Sequence, residues 1–278
     1  MILLENWFTF EKLIKVHLLI KDSLTHFGFI SIVVPLYNEA DNVRILNEAI
    51  HNAMKGLKYE LVLVNDGSTD RTAMQLKKLK HPSLIVIELQ KNYGQSLAIS
   101  AGIDIAKGDY IVTMDGDLQN DPRDIPLMLE KAKNEKWDLV SGIRTNRKDS
   151  FFKTIPSKIA NRIIRLVTNL DIDDHGCALK VFAKKTAKEL NLYGQIHRYI
   201  TLLSHFNGAR ITQVPVRHNA RKFGISKYGL ERIFKVIYDL ISLIYLQHIK
   251  INGKDQHRRK KHNRSYTIKD IRTQKMNL

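Results

Sequence analysis

From Phe29 onward, short runs of consecutive apolar residues alternate with longer stretches in which apolar positions recur every three or four residues. The runs "ISIVV" (30–34), "YELVLV" (59–64), "LIVIEL" (84–89) and "YIVTM" (110–114) predict strands, and 40–54, 70–80 and 94–107 predict amphipathic helices between them. A strand that is apolar at nearly every position is covered on both faces, and a helix after each strand supplies a parallel crossover. The pattern therefore predicts an α/β fold, a doubly wound, mostly parallel sheet with helices on both faces. Further along, 123–136 reads as a helix, 138–144 as a strand, the stretch to about 210 as mostly helical with loops, and 211–218 as another strand.

Towards the end of the chain, Leu230, Ile233, Phe234, Ile237, Leu240, Ile241 and Ile244 recur at helical spacing, which predicts a helix with a wide apolar face over 229–249. The basic stretch 250–278 is poor in apolar residues and predicts disorder, or order only on a surface. The opening segment, 1–28, is apolar in patches broken by Glu5, Glu11, Lys12, Lys15, Lys21 and Asp22. It reads as a helical extension, either packed on the body or lying in a membrane interface, and as neither a signal peptide nor a span. The α/β domain proper occupies 29–228.

Charge narrows the partners. Lysine and arginine outnumber aspartate and glutamate by 45 to 28, a net charge of +17 on 278 residues, which favours an anionic partner: nucleic acid, a phosphorylated substrate or an acidic lipid surface. The single cysteine, Cys177, excludes an internal disulfide framework and a multi-cysteine zinc site, and fits a cytosol-facing protein. Specific nucleic-acid binding is not expected, because the basic residues are not interleaved with a stacking platform or a known binding motif.

In an open parallel sheet, ligands bind beyond the carboxyl ends of the strands. The four predicted strands are followed by "PLYNEADN", "NDGSTDRT", "KNYGQS" and "DGDLQNDP", all polar and turn-forming. An isolated acid there, such as Asp70, reads as a helix cap. Glu39, Asp66, Asp115 and Asp117 converging on one edge would repel one another unless a cation lay among them, and a hard divalent ion takes oxygen ligands together with substrate phosphate. Gly116 is expected to permit a tight turn that lets Asp115 and Asp117 both face the cleft, with Gln119 adding a carbonyl oxygen. In Asp174-His175-Gly176-Cys177, the glycine is expected to turn the chain and Cys177 to act as a small buried hydrophobe. The glycine-rich phosphate loop of a nucleotidyltransferase is absent after the first strand.

With "VVPLYNEADN", "LVNDGSTDRT", "NYGQSLAISAGI", "GDYIVTMDGDLQNDP", "RTNRKD", "PSKIANRI", "DHGCALKVF", "LYGQIHRYI" and "VPVRHNARKFGISKYGLERI" in order from Ile32 to about Leu240, the chain resembles the inverting family 2 glycosyltransferases of GT-A fold. Within them it is most similar to the bacterial dolichyl-phosphate-mannose-synthase-like branch. The resemblance implies transfer of a sugar from a UDP- or GDP-sugar to a polyprenyl phosphate, with Mg²⁺ or Mn²⁺. It places Pro35, Tyr37, Glu39 and Asp66 around the nucleotide base and ribose, Asp115 beside ribose and metal, and Asp117 with Gln119 on the metal. Arg144, Lys153, Arg221, Ser226 and Lys227 would grip the acceptor phosphate and the leaving diphosphate, with His197 and Arg198 bordering the acceptor. The loop 220–229 would close over the donor on Gly224 and Gly229.

Many members of that branch continue into transmembrane helices. Here the 229–249 helix and the basic tail would instead hold the enzyme on the inner face of the cytoplasmic membrane, on an anionic surface or on a separate membrane subunit. A catalytically silent scaffold, or a transferase with a non-lipid acceptor, is the alternative. Where His175 stands the family usually has an aromatic residue.

Overall fold

The four apolar runs form the centre of the sheet in the computed structural model, which describes residues 27–144, 165, 168, 170–220 and 265–273. Strands β1 (Ile30–Leu36), β2 (Tyr59–Asn65), β3 (Leu84–Leu89) and β4 (Tyr110–Thr113) alternate with helices α1 (Val43–Ala53), α2 (Thr72–Lys78) and α3 (Gln95–Ile105). Helix α4 (Ile125–Asn134) leads to β5 (Leu139–Arg144). Then follow β6 (Lys180–Ala183), α5 (Lys184–Glu189), α6 (Ile200–Phe206), β7 (Ile211–Val216) and β8 (Ile268–Thr273). The strand order is β7-β5-β6-β4-β1-β2-β3-β8.

Strands β4, β1, β2 and β3 are mutually parallel, as are β5 and β7, while β6 runs antiparallel between β4 and β5. Because β6 reverses direction twice over, β5 and β7 point the same way as β1. Their carboxyl ends therefore share the edge on which β1, β2 and β4 end. Helices α1 and α4 cover one face, burying Leu46, Ile50, Met128 and Leu129 against Ile32, Leu61, Val112 and Val181. Helices α3, α5 and α6 cover the other, burying Ile99, Ala187 and Leu202 on the side of Val33, Val64, Ile87 and Phe182. Alternate residues of one strand feed opposite cores, so an unbroken apolar run was needed.

Two expectations are corrected. The stretch before 210 contains a strand, β6, whose apolar run is only "VF" after the buried Lys180. The tail 250–278 is not disordered throughout: Ile268–Thr273 pairs antiparallel with the outer edge of β3, and Arg272 donates to the Leu76 carbonyl. Its sequence, "IKDIRT", lacks a buried face. What orders it is the open row of backbone groups on β3, a partner no local pattern reveals. The segments 1–26, 221–264 and 274–278, including the expected 229–249 helix and the Gly224 and Gly229 hinges, lie outside the described residues. Among the described residues no helix is long and apolar enough to cross a membrane.

Candidate active site

The loop after β4 carries Asp115, Gly116 and Asp117. Gly116 is required by close approach, since a Cβ there would collide with the Leu36 side chain at the end of β1. The chain bends over residues 116–118, and the left-handed residue of that bend is Leu118 (φ 62°), not the glycine. Asp115 is half-buried and Asp117 buried. Asp115 Oδ1 accepts a hydrogen bond from Gln95 Nε2 at 2.7 Å, and Asp117 Oδ1 accepts from the Gln119 N–H at 3.1 Å. Loss of water, and then the charge of Asp117, push the Asp115 carboxyl up to about 7. The positive charges of Lys180 and Arg144 and the Gln95 hydrogen bond pull it back.

The other two acids of the expected cluster are turned to bracing. Asp66, 3 % exposed, accepts from the backbone N–H groups of Tyr93 and Gly94 at 2.8 and 2.9 Å. Burial raises its pKa to about 6 against the pull of those two donors. Glu39 accepts from Asn42 Nδ2 at 2.6 Å, and its own N–H donates to Thr72 Oγ1. Among the described residues no group of three or more His, Cys, Asp or Glu side chains could hold a metal ion, so the acids do not form a four-carboxylate cage. The close pair is Asp115 with Asp117. Asp70 accepts from the N–H groups of Thr72 and Ala40, but it lies one residue ahead of the N-cap of α2, which is Arg71, so the cap expected of it is corrected to a link between the first residue of α2 and the loop after β1.

Pro35 and Tyr37 stand half-buried at the end of β1. His197 and Arg198 lie in the 3-10 turn Ile196–Tyr199. There His197 Nδ1 pairs with Ser96 Oγ at 2.9 Å, while the His197 N–H donates to the same oxygen at 3.1 Å. Arg144, the last residue of β5, is paired with Asp174. Lys153, Arg221, Ser226 and Lys227 lie outside the described residues. Cys177 is buried and its thiol pKa raised by desolvation, in keeping with an inert hydrophobe. His175 is also buried; desolvation lowers its pKa to about 4, and its Nδ1 pairs with Thr201 Oγ1 at 2.6 Å.

Sequence reasoning gave no site role to Gln95, Ser96, Asp174 or Lys180. The first turn of α3 is tied to three site elements in succession: Gly94 to Asp66, Gln95 to Asp115 and Ser96 to His197. Position after the third strand was the available signal. Lys180, 2 % exposed, pairs in register with Thr113 of β4 and Ser141 of β5, and burial lowers its pKa. A lysine heading an apolar run was its signal.

An acid pair at the carboxyl end of β4, with the half-buried Arg144 of β5 and the buried Lys180 of β6 beside it, is set in a sheet whose order places β6 antiparallel between β4 and β5. The glycosyl transferase family 2 profile matches residues 31–191, from β1 to the loop after α5. The chain belongs to glycosyltransferase family 2. This family 2 transferase is 42% identical over 229 residues to the dodecaprenyl-phosphate galacturonate synthase of Rhizobium johnstonii, covering 80% of this chain and 68% of that one. It is 36% identical over 221 residues to the undecaprenyl-phosphate 4-deoxy-4-formamido-L-arabinose transferase of Edwardsiella ictaluri, covering 78% and 68%. Among solved structures it is similar to glucosyl-3-phosphoglycerate synthase of Mycobacterium tuberculosis in complex with Mn²⁺, UDP-glucose and phosphoglyceric acid. There the TM-score is 0.64, with 16% identity over 79% of each chain. A mannosyltransferase of Pyrobaculum calidifontis in complex with GDP-mannose and Mn²⁺ gives a TM-score of 0.57 at 19% identity, covering 80% of this chain and 64% of that one. At these identities the solved structures establish the GT-A fold.

Proposed function

We propose that this glycosyltransferase moves a sugar from a UDP- or GDP-sugar to the phosphate of a polyprenol, with inversion at the anomeric carbon. The observation that carries the reading is that Asp115 and Asp117 follow β4 while Arg144 ends β5, which points the same way, at the same edge of the sheet, with the buried Lys180 on the strand between them. One edge of the sheet thus offers negative charge for a metal-bound diphosphate and positive charge for an incoming phosphate. The two relatives named for polyprenyl-phosphate sugar transfer support the choice of acceptor.

The donor set fits a hard divalent cation. Two carboxylates close enough for one to raise the pKa of the other, with an amide at Gln119, are the oxygen ligands such an ion takes when substrate phosphate completes its shell. Asp115, Asp117 and Gln119 would hold Mg²⁺ or Mn²⁺, which when bound neutralises charge on the departing nucleoside diphosphate. Pro35, Tyr37, Glu39 and Asp66 receive the base and ribose. Arg144 receives the acceptor phosphate, assisted by Lys153, Arg221, Ser226 and Lys227 from outside the described residues, and His197 and Arg198 border it.

A phosphate oxygen attacks the anomeric carbon from the face opposite the diphosphate. The new C–O bond forms as the bond to the diphosphate breaks, and that electron pair leaves with the nucleoside diphosphate. A phosphate monoester is already ionised at neutral pH, so the acceptor needs orientation more than a strong base. A lipid acceptor puts the enzyme at the inner face of the cytoplasmic membrane, held there by an anionic surface or a membrane subunit.

The test incubates the full chain with a polyprenyl phosphate, Mg²⁺ or Mn²⁺ and labelled UDP- and GDP-sugars, and follows label into organic solvent. Lipid-linked label from one donor, abolished by EDTA and by Asp117→Asn, is the expected result. Nucleotide-sugar binding without lipid-linked label from any donor would overturn the acceptor assignment.

A further inference from the structure

Arg144 ends β5 with its guanidinium already gripped. Asp174 Oδ2 accepts from Arg144 Nε at 2.7 Å and from its backbone N–H at 3.2 Å, and Oδ1 accepts from Nη2 at 2.8 Å. The Asp174 side chain is only 5% exposed and that of Arg144 15%. The loop that carries Asp174 is itself held at every step. The Asp173 N–H donates to Gln213 Oε1 of β7 at 2.9 Å, and His175 pairs with Thr201 of α6. The buried Lys180 amine donates to the carbonyls of His175 and Cys177.

Gly176 refines the fit. The chain turns at His175 and Gly176 as expected, but the Gly176 φ is not among the left-handed values of the described residues, so the turn itself does not demand glycine. A Cβ at this position would come within 2.9 Å of Arg144 Nη2. Glycine stands there to clear the guanidinium.

We infer that the loop 173–177 is a template that sets the position and plane of the Arg144 guanidinium for an incoming phosphate. Asp174 and Gly176 are its positioning residues, and Lys180 is the buried cation that pins it. The inference rests on the proposed role of Arg144 as the group that receives the acceptor phosphate. A guanidinium recognises phosphate through parallel N–H groups in one plane, so its orientation matters as much as its charge. An arginine already ordered by a fixed carboxylate loses little rotamer freedom on binding. An ion pair serving stability alone tolerates a displacement of a few tenths of an ångström; a positioned phosphate ligand does not.

Gly176→Ala separates the two roles, because it keeps every charge and its methyl group meets first the guanidinium end of Arg144. The measurements are acceptor KM with a polyprenyl phosphate, direct titration of farnesyl phosphate, and titration of UDP with Mn²⁺. Acceptor KM and the farnesyl phosphate Kd should rise about tenfold, with UDP affinity and the melting curve little changed. Asp174→Asn should act in the same direction and more strongly; if it fails to fold, Gly176→Ala carries the test. In an Arg144→Ala background Gly176→Ala should have no further effect.

An unchanged acceptor KM and farnesyl phosphate Kd in Gly176→Ala, or an effect that persists without Arg144, overturns the template. Absence of transfer in the wild type, with farnesyl phosphate still bound and bound less tightly by Gly176→Ala, overturns the proposed reaction and leaves the template standing. Absence of both transfer and farnesyl phosphate binding in the wild type overturns both.

Discussion

Asp66, at the carboxyl end of β2, accepts the backbone N–H groups of both Tyr93 and Gly94, which lead into α3. One carboxylate thereby ties the second strand's crossover to the third's, and fixes where the first turn of α3 presents Gln95 and Ser96 to the site. Asp66→Ala leaves two donors without their acceptor and is expected to cost about 2–3 kcal/mol of stability, read by chemical denaturation. Nucleotide-sugar affinity, read by calorimetric titration, should fall with it.

Gln95 reaches Asp115 from outside the acid pair, and its amide hydrogen bond favours the ionised carboxylate. Gln95→Ala should weaken metal-dependent donor binding about tenfold, equivalent to about 1.4 kcal/mol, while leaving the melting temperature within a few degrees of the wild type. A metal titration of UDP binding distinguishes this from a general loss of fold.

A different group of rings governs acid stability. His51 stacks on His81 with ring centres 3.5 Å apart, and its Nδ1 is hydrogen-bonded to the Tyr59 hydroxyl. Burial first, and the neighbouring His81 second, lower the His51 pKa to about 4 from 6.5; burial also lowers that of His81. Between those two values the unfolded chain binds more protons than the folded one, so this contribution to stability is complete above 6.5 and is lost as pH falls towards 4. Discounted for the ring's partial exposure, the effect is of order 1 kcal/mol. Melting temperatures measured from pH 7 to 4 should fall less steeply for His51→Gln than for the wild type.

The C-terminal strand β8 covers the outer edge of β3, and Tyr266 anchors its approach by donating to Asp104 Oδ2 at 2.6 Å. Removing residues 265–278 exposes the β3 ladder. The expected result is a lower melting temperature and concentration-dependent aggregation, checked by scanning calorimetry and light scattering. Tyr266→Phe should show a smaller shift of the same sign.

The parallel core was legible in the chain alone, because strands buried on both faces must be apolar at consecutive positions, and that requirement is local. The edge on which the candidate site lies was legible too, since Asp66, Asp115 and Asp117 each follow a readable strand. Which of these groups act on one another depends on contacts made across the fold. Asp66 braces a loop because the N–H groups of Tyr93 and Gly94 that claim it come from a segment distant in the chain, Glu39 is held by the nearby Asn42, and Asp115 and Asp117 form the close pair. The antiparallel insertion of β6 sets Lys180 beside Asp115 and the 173–177 loop against Arg144, a meeting that depends on sheet order. Strand β8 likewise exists because β3 offers an unpaired edge, and a charged six-residue segment carries no local record of the backbone it will join.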